Sequence, residues 1–123
     1  MTDLHSPEAV VQRQLDAYNA RDLEGLLDTY APDARQYELP AKLLATGAGE
    51  IRARLAPRLQ EPNLHAHLIQ RAVMGNIVVD YETVSRSFPE GPGKVDLVAI
   101  YEVIDGKIQS QLVRISNQRL DPA

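Results

Sequence analysis

The 123-residue sequence contains no cysteine and no tryptophan, and it has only one phenylalanine. Without cysteine, disulfides, thiolate metal sites and thiol nucleophiles are all excluded. Long apolar runs are also missing, because the longest uninterrupted stretch, residues 97–101, is too short to span a bilayer. Residues 1–5 have neither a basic start nor an apolar run, so we expect no secretion signal and a cytoplasmic location.

An excess of positive charge is lacking as well. Thirteen Lys and Arg residues face seventeen Asp and Glu residues, which gives a formal net charge of -4. A surface that neutralises phosphates needs the opposite balance, so nucleic acid is not expected as a partner. The chain is long enough for one hydrophobic core and too short for two, so residues 1–123 are predicted to form a single domain.

The first half of the sequence has the periodicity of helices. Ser6 and Pro7 form a start signal, after which apolar residues recur at i, i+4 and i+7. A turn at 19–22 leads to a second helix, which Pro32 should end. A third helix is predicted from Gly49, kinked at Pro57 and stopped by Pro62. The apolar positions that carry these predictions are Val11, Leu15 and Tyr18, then Leu23, Leu26, Leu27 and Tyr30, then Ile51, Leu55 and Leu59.

The second half is rich in β-branched residues that alternate with polar ones. Four strands are predicted, over 64–74, 77–88, 94–104 and 107–116, and a shorter strand pair is predicted within 35–46. Two of the links, at 75–76 and 105–106, have the length and composition of tight hairpin turns, so the four strands should form an antiparallel meander. The predicted class is α+β, with the helices covering the concave face of a curved sheet.

Several short motifs carry a family resemblance. They are Val10-Val11-Gln12-Arg13, Asn19-Ala20, Asp22-Leu23, Gly25, Ala31-x-Asp33-Ala34, Gly47, Ile51-Arg52, and Tyr101 with Asp105-Gly106-Lys107-Ile108. With these motifs, the chain resembles the ketosteroid isomerase branch of the nuclear transport factor 2-like superfamily. That superfamily also includes polyketide cyclases, scytalone dehydratase and limonene epoxide hydrolase. The resemblance implies a conical cup (a cystatin-like α+β barrel), a pocket for a small apolar or carbonyl-containing molecule, and a homodimer through the outer sheet face.

The resemblance places the isomerase's general base on Glu38, with Pro40 following closely as in the enzyme. The two groups that donate hydrogen bonds to the developing oxyanion fall on Gln14 and Ala99, so both donors are replaced. Losing one such donor commonly raises the barrier by about 3 kcal/mol. The resemblance therefore implies an isomerase or lyase that removes a proton next to a carbonyl, with Glu38 as base. A non-catalytic binder of an apolar metabolite and a dimeric structural or adaptor module stay open as alternatives.

The predicted pocket has further candidate residues. Glu38 could face the cavity, where desolvation would raise its pKa, or it could be an exposed edge-strand residue. Gln14 and Tyr18 lie on the inward stripe of the first helix, where they could contact a ligand or belong to the core. Alternation places Leu97, Ala99, Tyr101 and Val103 on one face of their strand, and the resemblance implies that this face lines the pocket. By the same logic the lining also includes Val79, Tyr81 and Thr83, and Gln111, Val113 and Ile115. A core without a cavity is the alternative.

Other titratable residues are predicted to lie outside the pocket. His65 and His67 share one strand face, but no third ligand accompanies them, so we expect no metal and no cofactor. A dehydratase-like role for the two histidines with Glu38 stays open. The carboxylates and guanidinium groups of the sheet are predicted to form a salt-bridged outer face and a dimer contact. These are Asp80, Glu82, Asp96 and Glu102, with Arg71, Arg86 and Arg114.

Overall fold

The structure, a computed structural model, describes residues 3–123, so the first two residues of the segment tested above for a targeting signal lie outside it. The described residues form three helices and six strands. The helices are α1 (Pro7–Asn19), α2 (Leu23–Asp28) and α3 (Gly47–Arg58). The strands are β1 (Tyr30–Glu38), β2 (Lys42–Thr46), β3 (His65–Met74), β4 (Ile77–Phe88), β5 (Gly91–Ile104) and β6 (Lys107–Leu120).

The first two helices begin at the predicted start signals, and α3 begins at Gly47, two residues before the predicted Gly49. The Ser6 hydroxyl accepts a hydrogen bond from the Ala9 amide, 3.2 Å away, and the Asp22 carboxylate accepts one from the Gly25 amide at 3.0 Å. These side chains satisfy amides that have no partner within the first turn. The second helix is shorter than predicted, because Tyr30 already belongs to β1. Pro57 lies inside α3, which ends one residue later.

One six-stranded sheet has the order β2-β1-β6-β5-β4-β3. Strands β3 to β6 form the predicted antiparallel meander, and β1 lies parallel to β6 and antiparallel to β2. The α+β class, with three helices and a curved sheet, is therefore confirmed. Two strands are longer than predicted, since β5 begins at Gly91 and β6 continues to Leu120.

The core lies between the helices and the concave face of the sheet. Fully buried apolar side chains come from both layers, among them Val10, Leu26, Ile51, Val78, Ala99 and Ile108. Burying each such side chain contributes about 1.5 to 3 kcal/mol, so this layer is the main source of stability. The face predicted for β5 is confirmed, since Ala99, Tyr101 and Val103 are buried in the core and Leu97 packs against it.

The two faces predicted for β4 are interchanged in the structure. Val79, Tyr81 and Thr83 were expected to line the pocket, and Asp80 and Glu82 were expected on the outer face. The structure buries Val78, Asp80, Glu82 and Val84, whereas Tyr81 lies on the convex face with 41% of its surface exposed. The cause is the link between β4 and β5. The predicted five-residue link would pair odd with odd positions, but the strands are joined by two residues and pair Phe88 with Gly91 and Asp80 with Ala99. This register brings even residues of β4 to the face of odd residues of β5.

Candidate functional site

A cavity of about 90 Å³ lies between α1, α3 and the concave face of the sheet. Its lining includes apolar, polar and charged side chains. The lining residues are Gln14, Leu15, Tyr18, Gln36, Arg54, Leu55, Arg58, Ala66, Glu82, Val84, Leu97, Tyr101, Gln111, Val113 and Ile115. Two of them, Arg54 and Ile115, are solvent-exposed, which places the cavity mouth between α3 and β6.

Glu82 is the only carboxylate among the residues that line this cavity. It is 5% exposed, and no hydrogen bond or ion pair holds its carboxyl group among residues 3–123. Burial raises the pKa of Glu82 to about 7; the neighbouring Asp80 adds to this shift, and Arg71 opposes it. A carboxyl group with such a pKa gives up and takes back a proton near neutral pH, as a general acid or base must.

Asp80, two residues before Glu82 on the same face, is in a different situation. Its carboxylate is fully buried and accepts two hydrogen bonds from Arg71, from Nε at 2.7 Å and from Nη2 at 3.0 Å. Gln12 of α1 accepts a further hydrogen bond from Nη1 of Arg71, 2.8 Å away. Asp80 is thus a paired charge with its hydrogen bonds satisfied. The carboxylate of Asp80 lies near Glu82, and repulsion between the two disfavours ionisation of Glu82.

A hydrogen-bonded chain joins four polar residues of the cavity lining, and Tyr30 adds one bond to it. Gln36 Nε2 donates to Gln111 Oε1 at 2.7 Å, and Gln111 Nε2 donates to the Tyr101 hydroxyl at 3.2 Å. That hydroxyl donates to Gln14 Oε1, also at 3.2 Å. Tyr30 donates to Gln111 Oε1 at 3.0 Å. The chain fixes the directions in which these groups face the cavity.

The phenols of the cavity stay protonated at neutral pH. Burial raises the pKa of Tyr18 to about 12, with Arg58 and Arg86 opposing the shift. Burial also raises the pKa of Tyr101, and the negative charge of Glu82 adds to that shift. The hydroxyl of Tyr18 has no hydrogen-bond partner among the described residues, so it is available as a donor to a ligand.

Two guanidinium groups reach the cavity from α3. Nη1 of Arg54 donates to Gln36 Oε1 at 2.6 Å, which joins Arg54 to the amide chain. Arg58 forms an ion pair with Glu61, with Nε and Oε2 3.0 Å apart. Glu61 also accepts from Arg86 and from the Ser87 amide. Burial and the charge of Arg58 lower the pKa of Arg54.

The structure brings together four of the seven residues predicted for the site. Gln14, Tyr18, Tyr101 and Gln111 all line the cavity. Ala99 lies on the same face but is enclosed in the core and does not line the cavity. Tyr81 is on the opposite face, for the reason of register given above, and cannot reach a ligand in this cavity. Whether the four lining residues bind a ligand stays a prediction.

Glu38 does not line the cavity. It is exposed at the end of β1, where it lies opposite Lys42 of the edge strand β2. The expectation that apolar surroundings would desolvate this carboxylate is therefore wrong. Its catalytic role, which the resemblance implied, has no geometric support in the cavity and stays a prediction that a substitution can test.

Sequence reasoning missed Glu82, Gln36, Arg54 and Arg58. For the two arginines a signal was present, because Ile51, Arg54, Leu55 and Arg58 follow the i, i+3, i+4, i+7 spacing of one helix face. For Glu82 the signal was the length of the β4–β5 link. A link of two residues instead of five would have placed Asp80 and Glu82 on the concave side.

His65 and His67 are both exposed on β3 and do not line the cavity. Within residues 3–123, no three His, Asp or Glu side chains lie close enough together to hold a metal ion. In the same part of the chain, no helix has both the length and the apolar character needed to cross a membrane.

Solved structures of similar fold have low sequence identity to this chain. A cystatin-fold protein from Novosphingobium aromaticivorans is 23% identical, with a TM-score of 0.80 over 89% of this chain and 97% of that one. A proposed polyketide cyclase from Sinorhizobium meliloti is 26% identical, with a TM-score of 0.70 over 85% and 93%. A protein of ketosteroid isomerase-like fold from Catenulispora acidiphila, solved in complex with trimethylamine, is 17% identical, with a TM-score of 0.75 over 90% and 87%.

No protein of curated function matches this chain. The model of the SnoaL-like domain family matches residues 11–111, a range that contains every residue of the cavity except Val113 and Ile115. The match spans most of the chain, from α1 into β6, and agrees with the observed order of helices and strands. The chain therefore belongs to the SnoaL-like domain family of the nuclear transport factor 2-like superfamily.

Proposed function

We propose that the protein catalyses proton transfer at the carbon next to the carbonyl group of a small molecule, with Glu82 as the general base. The single observation that carries the proposal is the environment of Glu82. Its carboxyl group is buried, unpaired, directed at a cavity and has a pKa raised to about 7. Raised carboxyl pKa values of this kind cluster at functional sites.

In the proposed reaction, the ionised Glu82 removes a proton from the carbon between the carbonyl and a double bond. The electrons move onto the carbonyl oxygen and form a dienolate. The protonated Glu82 then returns the same proton to the far end of the dienolate, which gives the conjugated ketone, so no atoms are gained or lost. Tyr18 is protonated at neutral pH and its hydroxyl has no partner among the described residues, so it is the donor available to the oxyanion. It supplies one hydrogen bond in place of the two donors that the resemblance finds replaced at Gln14 and Ala99.

The size of the cavity limits the substrate. An apolar cavity of about 150 Å³ holds one benzene molecule, and this cavity measures about 90 Å³. A multi-ring substrate does not fit inside it. The reacting part of the substrate is therefore a short chain of a few atoms, and any larger portion extends through the mouth beside Arg54.

Pent-4-en-2-one is a suitable probe, because its isomerisation to the conjugated pent-3-en-2-one is followed by ultraviolet absorbance. The Glu82→Gln substitution keeps the shape of the side chain and removes the base, so we expect kcat/KM to fall by about 10² to 10⁴ fold. For the wild type, we expect the rate to rise with pH through about 7, as Glu82 loses its proton.

Two further variants sharpen this experiment. Glu38→Gln tests the base that the resemblance implied, and Glu90→Gln, in the exposed β4–β5 turn, controls for the loss of one surface charge. Unchanged turnover in Glu82→Gln would rule out Glu82 as the base. A large loss in Glu38→Gln would instead return that role to Glu38. Binding of pent-4-en-2-one without turnover in the wild type would favour the non-catalytic binder.

We also propose that the convex face forms a homodimer interface, as the resemblance implied. Apolar side chains meet there in register, with Tyr81 opposite Val98 and Val79 opposite Ile100. Tyr81 is 41% exposed, and no helix of the described chain covers this face. A two-fold axis through this apolar patch would pack it against the same patch of a second copy.

The homodimer is tested by light scattering. The wild type should have the mass of a dimer, and Val98→Asp should have the mass of a monomer. A monomeric wild type would contradict the proposal.

A further inference from the structure

We infer that the substrate carries a carboxylate, which Arg54 binds at the cavity mouth. This inference rests on the proposed function, because it assigns a class of substrate to the same cavity. The observation behind it is that a guanidinium group lines the cavity without an acidic partner among residues 3–123.

Among residues 3–123, one hydrogen bond holds the guanidinium group of Arg54. Its Nη1 donates to Gln36 Oε1 at 2.6 Å, and Gln36 is itself fixed by its hydrogen bond to Gln111. A guanidinium group has five N–H donors in a planar fork that matches the two oxygens of a carboxylate. The donors of Arg54 that Gln36 does not use are therefore free and already oriented.

The charges around Arg54 favour an anion. Arg58 lies close enough to disfavour the charged form of Arg54, so two like charges face each other at the mouth. Arg58 is compensated by Glu61, whereas Arg54 has no such compensation. Glu82 also lines the cavity, but it forms no ion pair with either arginine. A carboxylate bound at Arg54 would remove the remaining repulsion.

The neighbouring Arg52 provides the contrast. It lies on the same helix, and its Nη2 is 2.7 Å from Oε1 of Glu24 in an exposed ion pair. It does not line the cavity. An arginine with an ordinary surface role on α3 thus has an acidic partner, and the arginine at the mouth does not.

The small volume of the cavity also favours a substrate whose carboxylate stays at the mouth, where Arg54 lies. A keto acid of five or six carbons can place its carbonyl group inside, near Tyr101 and Glu82, and leave its carboxylate at the mouth. The preferred substrates are therefore short keto acids in which a few carbons separate the carbonyl from the carboxylate.

The test compares 4-oxopentanoate with 4-oxopentanamide, which has nearly the same shape but no charge. Neither compound has the double bond needed for the isomerisation, so their affinities are measured by calorimetry or by NMR titration without turnover. A hydrogen bond to a charged group should make the wild type bind the acid at least about tenfold more tightly than the amide. Arg54→Gln should reduce this ratio to near one, Arg54→Lys should keep part of it, and Arg52→Gln should leave it unchanged.

The ratio of the two affinities separates a charge contact from a merely structural effect, since a distorted cavity would weaken both ligands together. Equal affinities in the wild type, no measurable binding of the acid, or an unchanged ratio in Arg54→Gln would each overturn the inference. Repeating the titration with Glu82→Gln distinguishes the two proposals. If the preference for the acid persists there while turnover of pent-4-en-2-one does not depend on Glu82, the proposed function fails and the anion site stands.

Discussion

The two faces of the β4–β5 hairpin carry the same kinds of side chain in opposite environments. On the concave face, Asp80 is fully buried in an ion pair with Arg71, and Glu82 is buried without a partner. On the convex face, Asp96 accepts hydrogen bonds from Thr83, Asn117 and Arg119, in contact with solvent. These contacts lower the pKa of Asp96, whereas burial raises the pKa of Glu82. Position on the sheet, and not residue type, decides which carboxylate can transfer protons.

The largest difference between the faces should be in the cost of losing one carboxylate. Asp80→Asn removes the charge that compensates Arg71, whose side chain is 9% exposed. Removing one partner of a buried ion pair typically costs about 3 to 5 kcal/mol. We expect a loss of this size in the free energy of unfolding, measured in urea. Asp96→Asn is the matched control and should change it far less; equal losses in both variants would contradict the contrast between the faces.

The second difference concerns pH. Because the folded pKa of Glu82 is about 7 and the unfolded value is about 4.5, the folded state keeps a proton that the unfolded state loses between these values. The contribution of Glu82 is thus fully present below pH 4.5 and is lost as pH rises to 7. We expect the free energy of unfolding of the wild type to fall by about 3 kcal/mol across this range, relative to Glu82→Gln.

Denaturant curves of both proteins at several pH values measure this difference directly. Because all other titratable groups are shared, their contributions cancel in the comparison. Parallel pH profiles for the wild type and Glu82→Gln would show that the Glu82 carboxyl group does not titrate abnormally, and the contrast with Asp96 would then disappear.

How much of this contrast could be predicted from the sequence depends on the residue. Helical periodicity predicted α1 and α3, and alternation placed Ala99 and Tyr101 on one common face, because each of these patterns lies within one element. The resemblance then identified that face as the one toward the pocket. The face of Glu82 depends on how many residues join β4 and β5. Gly91, Pro92 and Gly93 are typical of a loop, yet they belong to β5, where each is paired with a residue of β4. A shift of this kind reverses the face of the whole strand.

Glu38 was misplaced for a different reason. Its position was inferred from the resemblance alone, and resemblance transfers a fold more reliably than a site. The orientation of a carboxylate at the end of β1 depends on the edge strand β2, which here pairs with it and leaves Glu38 exposed. The amide chain of Gln36, Gln111 and Gln14 joins three separate elements, so no local pattern could predict it.

The smallest expected difference is between two tyrosines on opposite faces of the sheet. The Tyr101 hydroxyl donates to Gln14 and accepts from Gln111, whereas Tyr81 forms no side-chain hydrogen bond among the described residues. Tyr101→Phe should lower the free energy of unfolding by about 1 to 2 kcal/mol, because the amides of Gln14 and Gln111 each lose a hydrogen-bond partner. Tyr81→Phe, in which the ring is kept and no bond is lost, should leave it unchanged. If both substitutions had the same effect, the amide chain would not stabilise the cavity, and the directions of its donors would not be fixed before a ligand binds.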